Sequence, residues 1–139
     1  MQGTGPAATA LKAGFLAAGL ILCGGCASGR LDIIQVGPWS APRSWKQTPV
    51  FTSREQTTRP WGGVAIIHSD RIPANDSANI EQKKLKARKM AAEIGADAII
   101  IAMEPVASGP EMGVYQTPEV YLSALAIKYV ASVSTAVQK

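Results

Sequence analysis

Cysteine is nearly missing from this chain. Of 139 residues only Cys23 and Cys26 are cysteine, and none follows position 26. A folded unit downstream therefore has no disulfide framework to lean on. Two thiols and the single, distant imidazole of His68 fall short of the four ligands of a structural zinc site. Charge is sparse as well. Only 17% of residues are charged and the formal balance is +4, weaker than a dedicated nucleic-acid binder carries. No apolar run reaches the roughly 20 residues that span a bilayer. No phosphate-binding glycine loop, nucleophile elbow or paired-carboxylate signature is present. These absences leave no motif for an enzyme, no cofactor is implied, and nucleic acid is not an expected partner.

What is there begins with the leader. Residues 1–9 are small and polar, one cation follows at Lys12, and then comes the apolar run AGFLAAGLIL over residues 13–22. That length suits the core of a secretory signal and is too short for a membrane span. Small residues follow at once, in CGGCASG over 23–29. A redox reading of the cysteine pair requires an adjoining βαβ pattern, and none adjoins it. The order cation, apolar run, small residues, cysteine resembles a bacterial lipoprotein signal. Gly24 and Gly25 fit the two places before the acceptor, while Cys23 stands where an aliphatic residue is usual. With Cys23 as acceptor the bulky Leu22 would sit at the cut, so the resemblance points to Cys26. It implies removal of residues 1–25, a thioether from Cys26 to diacylglycerol, and acylation of the new amine. Ala27 after the acceptor, in place of aspartate, implies delivery to the outer membrane, facing the periplasm.

Residues 26–48 read as a lipidated, flexible tether, with Pro38 and Pro42 interrupting any helix. Within it LDIIQV, residues 31–36, reads as a short strand or an apolar patch. Trp39 and Trp45 alternate with Arg43 and Lys46. The tryptophans are expected to fold back on the core, although aromatic and basic residues together also suit a headgroup interface.

A chain of this length allows one domain, placed at residues 49–131 with a tail at 132–139. PVFTS (49–53) is β-prone. In GGVAIIHS (62–69), Val64, Ile66 and His68 share one face and Ala65 and Ile67 the other, which predicts a covered central strand. A turn-rich loop at 69–79 ends in Asn79, which with Gln82 resembles a capping box. A helix follows to Ile94, with Ile80, Ala87, Met90, Ala91 and Ile94 on one stripe and Gly95 as its C-terminal stop. Opposite the stripe, Lys89 and Glu93 are spaced to pair. DAIIIAM (97–103) predicts a buried strand, joined to the previous one in a parallel, right-handed β-α-β unit. Residues 119–130 predict a last, long strand, whose Ser123, Ala124 and Ala126 let the helix approach. The expected architecture is β-β-α-β-β, a small sheet with one helix across a face, in the α+β class.

The stretch LKARKMAAEIGADAIII resembles a unit shared by small bacterial envelope proteins: a helix ending in Ala-Ala-x-x-Gly-Ala-Asp-Ala, then an aliphatic strand. The stress-sensing lipoprotein of the Rcs pathway has such a unit, as does a small oligomeric family labelled heavy-metal-binding. TRPWGGVAIIHSDRIP resembles the entry strand of uncharacterised lipoproteins. The shared residues serve helix-sheet contact, cap and turn, so they imply a fold and not an activity. The Rcs lipoprotein's disulfides have no counterpart after Cys26.

Lys83, Lys84, Lys86, Arg88 and Lys89 form the one dense charge cluster. It reads as a solvated helix face or as a contact for an anionic surface. His68 and Asp70, with Glu104, are the weak candidates for a metal. Two functions stay open. One is a non-enzymatic envelope lipoprotein, anchored to the membrane through diacylglycerol, that binds an envelope protein or itself; an exposed apolar patch or open sheet edge would mark it. The other is a ligand- or metal-binding sensor, marked by a concave site near His68.

Overall fold

The computed structural model describes residues 29–107 and 117–130. The fold is α+β. Six strands form one mixed sheet: β1 (Leu31–Gln35), β2 (Val50–Phe51), β3 (Trp61–Ser69), β4 (Ile72–Pro73), β5 (Ala98–Pro105) and β6 (Glu119–Tyr129). One helix, α1 (Ser77–Glu93), packs across a face. The strand order is β1-β3-β6-β5-β2, with β4 beside the start of β6.

The four longer expected elements of the domain are present, and the two strands flanking the helix are parallel as expected but are not neighbours. β3 and β5 run parallel and are joined by α1, yet β6 lies between them, antiparallel to both. The last strand to be made is thus central. Its alternation explains the placement. Leu122, Ala124 and Ala126 point to the helix side, while Leu125 and Ile127 point to the other, so both faces of β6 have apolar cover to find. Ser123 lies on the face away from the helix, opposite His68 and Ala102, so only Ala124 and Ala126 serve the close helix approach.

The helix contains neither Gly nor Pro between its ends. Its cap stands three residues before the expected one, because Asp76 and not Asn79 fills that role: its carboxylate accepts from the Asn79 amide at 3.1 Å. Ala87 and Ala91 are fully buried, and with Ile94 they meet Ile99, Ile101, Ala65 and Ile67 in one cluster. Gly95 ends the helix with φ +77°, a left-handed conformation that glycine adopts at no steric cost. Ile67, Ile99, Leu122 and Ile127 are fully buried, each contributing roughly 1.5–3 kcal/mol of transfer free energy.

Residues 29–48 are not a tether. Leu31 is buried, and β1 pairs antiparallel with β3 from Leu31↔Ser69 to Gln35↔Ala65. The proline-containing stretch after it straps the end of α1. The Ser40 amide donates to the Ile94 carbonyl at 3.1 Å and the Arg43 amide to the Ala92 carbonyl at 2.9 Å. Lys128 Nζ donates to the Gly95 carbonyl at 3.0 Å. Helix carbonyls that lack an intrahelical donor are satisfied in this way. The loop expected at 69–79 also contributes β4, whose fully buried Ile72 pairs with Val120. Residues 132–139 and Cys26 lie outside the described residues.

Candidate functional site

The sheet has two unlike faces. On the helix side the core is closed. On the other side no helix packs; Ala98, Ile100 and Ile127 are buried there among Phe51, Trp61, Leu125 and Tyr129, and Arg59 lies 4.2 Å from the Tyr129 ring centre. Register places Ile34, Ile66, Leu125, Ile100 and Phe51 in one row, each opposite the next, across β1, β3, β6, β5 and β2. Residues paired this way stand about 5 Å apart on a common face. Ile34, at the edge, is 54% exposed; Ile66, Leu125 and Phe51 are half-buried, and Ile100 is buried beneath its neighbours. The next row is polar or small: Asp32, His68, Ser123 and Ala102. Beyond it the Tyr121 hydroxyl donates to Glu104 at 2.6 Å. That acceptor carboxylate raises the Tyr121 pKa above its ordinary value of 10.0, because ionising the phenol removes the hydrogen bond.

The outer edge of β1 is also open among the described residues. The Asp70 amide donates to Arg30 and the Val36 amide to Val64. The alternation of antiparallel pairs then turns the backbone groups of Leu31, Ile33 and Gln35 outward. Residues 31–35 carry no proline, and their one charge is Asp32, paired with Arg30 at 3.4 Å.

The lysine cluster on α1 divides. Lys83 is no surface cation: it is 3% exposed, paired with Asp70, and donates to the Arg30 carbonyl at 3.3 Å. Arg88 is committed to the Thr48 and Lys46 carbonyls at 2.7 and 3.1 Å. Lys84 pairs with Glu81. Lys89 does not pair with Glu93; its ammonium lies 5.4 Å from the Trp45 ring centre, which Arg88 approaches at 5.3 Å and Lys46 at 6.0 Å. Trp45 is half-buried against the helix, whereas Trp39 is exposed. Lys86 and Lys89 line a shallow cleft of about 260 Å³ with Gly29, Gln82, Lys83 and Leu85.

His68, Asp70 and Glu104 do not assemble as a ligand set. His68 is half-buried between Asp32 and Ser123, Asp70 is taken by Lys83, and Glu104 by Tyr121. Among the described residues, no three His, Cys, Asp or Glu side chains are grouped to hold a metal ion. The apolar row is the feature the sequence alone does not reveal. Alternation gives the face of each strand, but which residues line up depends on β6 entering between β3 and β5.

No helix among the described residues is long and apolar enough to cross a membrane. No family model and no curated protein matches the chain. Among solved structures, the Francisella virulence factor FvfA is similar with a TM-score of 0.42 and 18% identity, over 70% of this chain and 97% of that one. A likeness of that size carries no argument about function.

Proposed function

We propose that the chain is a non-enzymatic cell-envelope lipoprotein, anchored by diacylglycerol on Cys26 after removal of residues 1–25. Its domain works by docking a protein, either an envelope partner or a second copy, on the helix-free face of the sheet. The observation that carries the docking role is the apolar row from Ile34 to Phe51, which runs out to the open edge of β1. Exposed apolar rows cost solubility unless something covers them, and an open edge offers backbone partners to a further strand. The anchor reading is supported by the order of residues around Cys26 alone.

A photo-crosslinking residue at Ile34 in the full-length protein tests the docking role in the native envelope. Adducts from Ile34, lost when Ile66→Asp is added, are expected. A monomer with no adduct from Ile34 or Leu125 would sink it. The intact mass of the membrane-extracted chain tests the anchor separately, with acylated Cys26 as the expected first residue.

A further inference from the structure

The structure places the chain's entry into the fold against the basic side of α1. Gly29 lies against the ends of the Lys83 and Asp70 side chains, which a Cβ there would have to displace. It also lines the cleft with Gln82, Leu85, Lys86 and Lys89. Cys26 is three residues earlier, and three virtual Cα bonds span at most about 11 Å. An acylated Cys26 therefore cannot stand far from this helix face, and no leash separates the domain from its anchor.

We infer that the outer face of α1 lies on the lipid headgroups of the membrane that holds the anchor. This rests on the anchor at Cys26 proposed above. The chemistry of the face suits anionic headgroups. Lys46, Lys86 and Lys89 form no ion pair among the described residues. Leu85 is 40% exposed in their midst, and Trp45 stands under three cations. An exposed leucine with Lys86 and Lys89 on one side and the Glu81–Lys84 pair on the other, and a tryptophan held against Lys89 on the same helix, match the two layers of a membrane interface. Each lysine brought to an anionic surface favours the apposed state about fivefold. An acidic protein would satisfy the same charges, but only the bilayer is held within reach of them by the anchor.

Because no cysteine follows Cys26, an introduced thiol can be labelled alone in the acylated protein. The test places a fluorophore at Leu85→Cys, and for comparison at Ala102→Cys on the opposite face, in vesicles of phosphatidylcholine with or without phosphatidylglycerol. Quenching by a headgroup nitroxide lipid is read. The expected result is stronger quenching at 85 than at 102, requiring phosphatidylglycerol and fading as salt shortens the screening length. Lys86→Gln and Lys89→Gln should each lower the apposed fraction relative to the lifted one by about fivefold. Equal quenching at the two sites, or quenching at 85 indifferent to lipid charge and salt, in a chain that is acylated and floats with the vesicles, would overturn the inference and leave the anchor standing. A chain that is unacylated and does not float would overturn both.

Discussion

Lys83 and Asp70 form a lopsided ion pair, and the two ends should respond unequally to mutation. The lysine side chain is 4% exposed, whereas the aspartate is 52% exposed. Removing one partner of a fully buried pair costs roughly 3–5 kcal/mol, chiefly because a charge is left buried and uncompensated. Asp70→Asn leaves the ammonium inside with only the Arg30 carbonyl and an amide oxygen. Water reaches the aspartate side, so we reduce the cost by about half, to about 2 kcal/mol. Lys83→Met removes the buried charge instead and fills the space with an apolar chain. Asp70 then hydrates, and the expected cost is about 0–1 kcal/mol. In a domain of this size about 2 kcal/mol lowers Tm by about 8–16 °C. Urea unfolding followed by tryptophan fluorescence gives the comparison, provided the denaturant slope is unchanged. The double variant should behave like Lys83→Met alone. The reasoning fails if Lys83→Met costs as much as Asp70→Asn, or if the double variant is less stable than Asp70→Asn.

Two further outcomes check local structure. Asp76→Ala should cost about 1 kcal/mol through loss of the helix cap, while Asn79→Ala, which removes no capping side chain, should cost under about 0.5 kcal/mol; thermal unfolding of the two variants separates them. Glu104→Gln removes the anionic acceptor of the Tyr121 hydroxyl. The Tyr121 titration midpoint should then fall toward the ordinary tyrosine value, as read by ultraviolet phenolate absorbance. An unmoved midpoint would mean the hydrogen bond is not made in solution.

The elements that were legible in the sequence are those whose signal is local. Three successive isoleucines bounded by turn residues gave β5, and alternation gave β6 (Glu119–Tyr129) against the helix propensity of its alanines and leucines. Lys83 illustrates what local signals misstate. It falls on the stripe that runs from Ile80 to Ala87, the spacing of a buried position, but its charge argued for solvent; the compensating Asp70 is supplied from the end of β3, thirteen residues back. In the segment 29–48 the strand reading of LDIIQV holds and the tether reading does not, for a related reason. Prolines break helices, yet residues 31–35 need only an edge to pair with, and Ser40 and Arg43 need only the Ile94 and Ala92 carbonyls at the end of α1. None of those partners is near in sequence. The apolar row is less legible still, since it exists only once five strands are in register.

The central place of β6 has a consequence for the order of events during synthesis. Without it, β1 with β3 and β5 with β2 are two separate ribbons that share no hydrogen bond. Two-stranded ribbons are marginal in water, and α1 has no finished surface to rest on until they are joined. The joining strand is the last of the described strands in chain order, so all the others are made before the sheet can close. Pairings this distant along the chain are slow to form. Under the export proposed above, that delay would keep the chain open during passage through the membrane and defer folding to the far side.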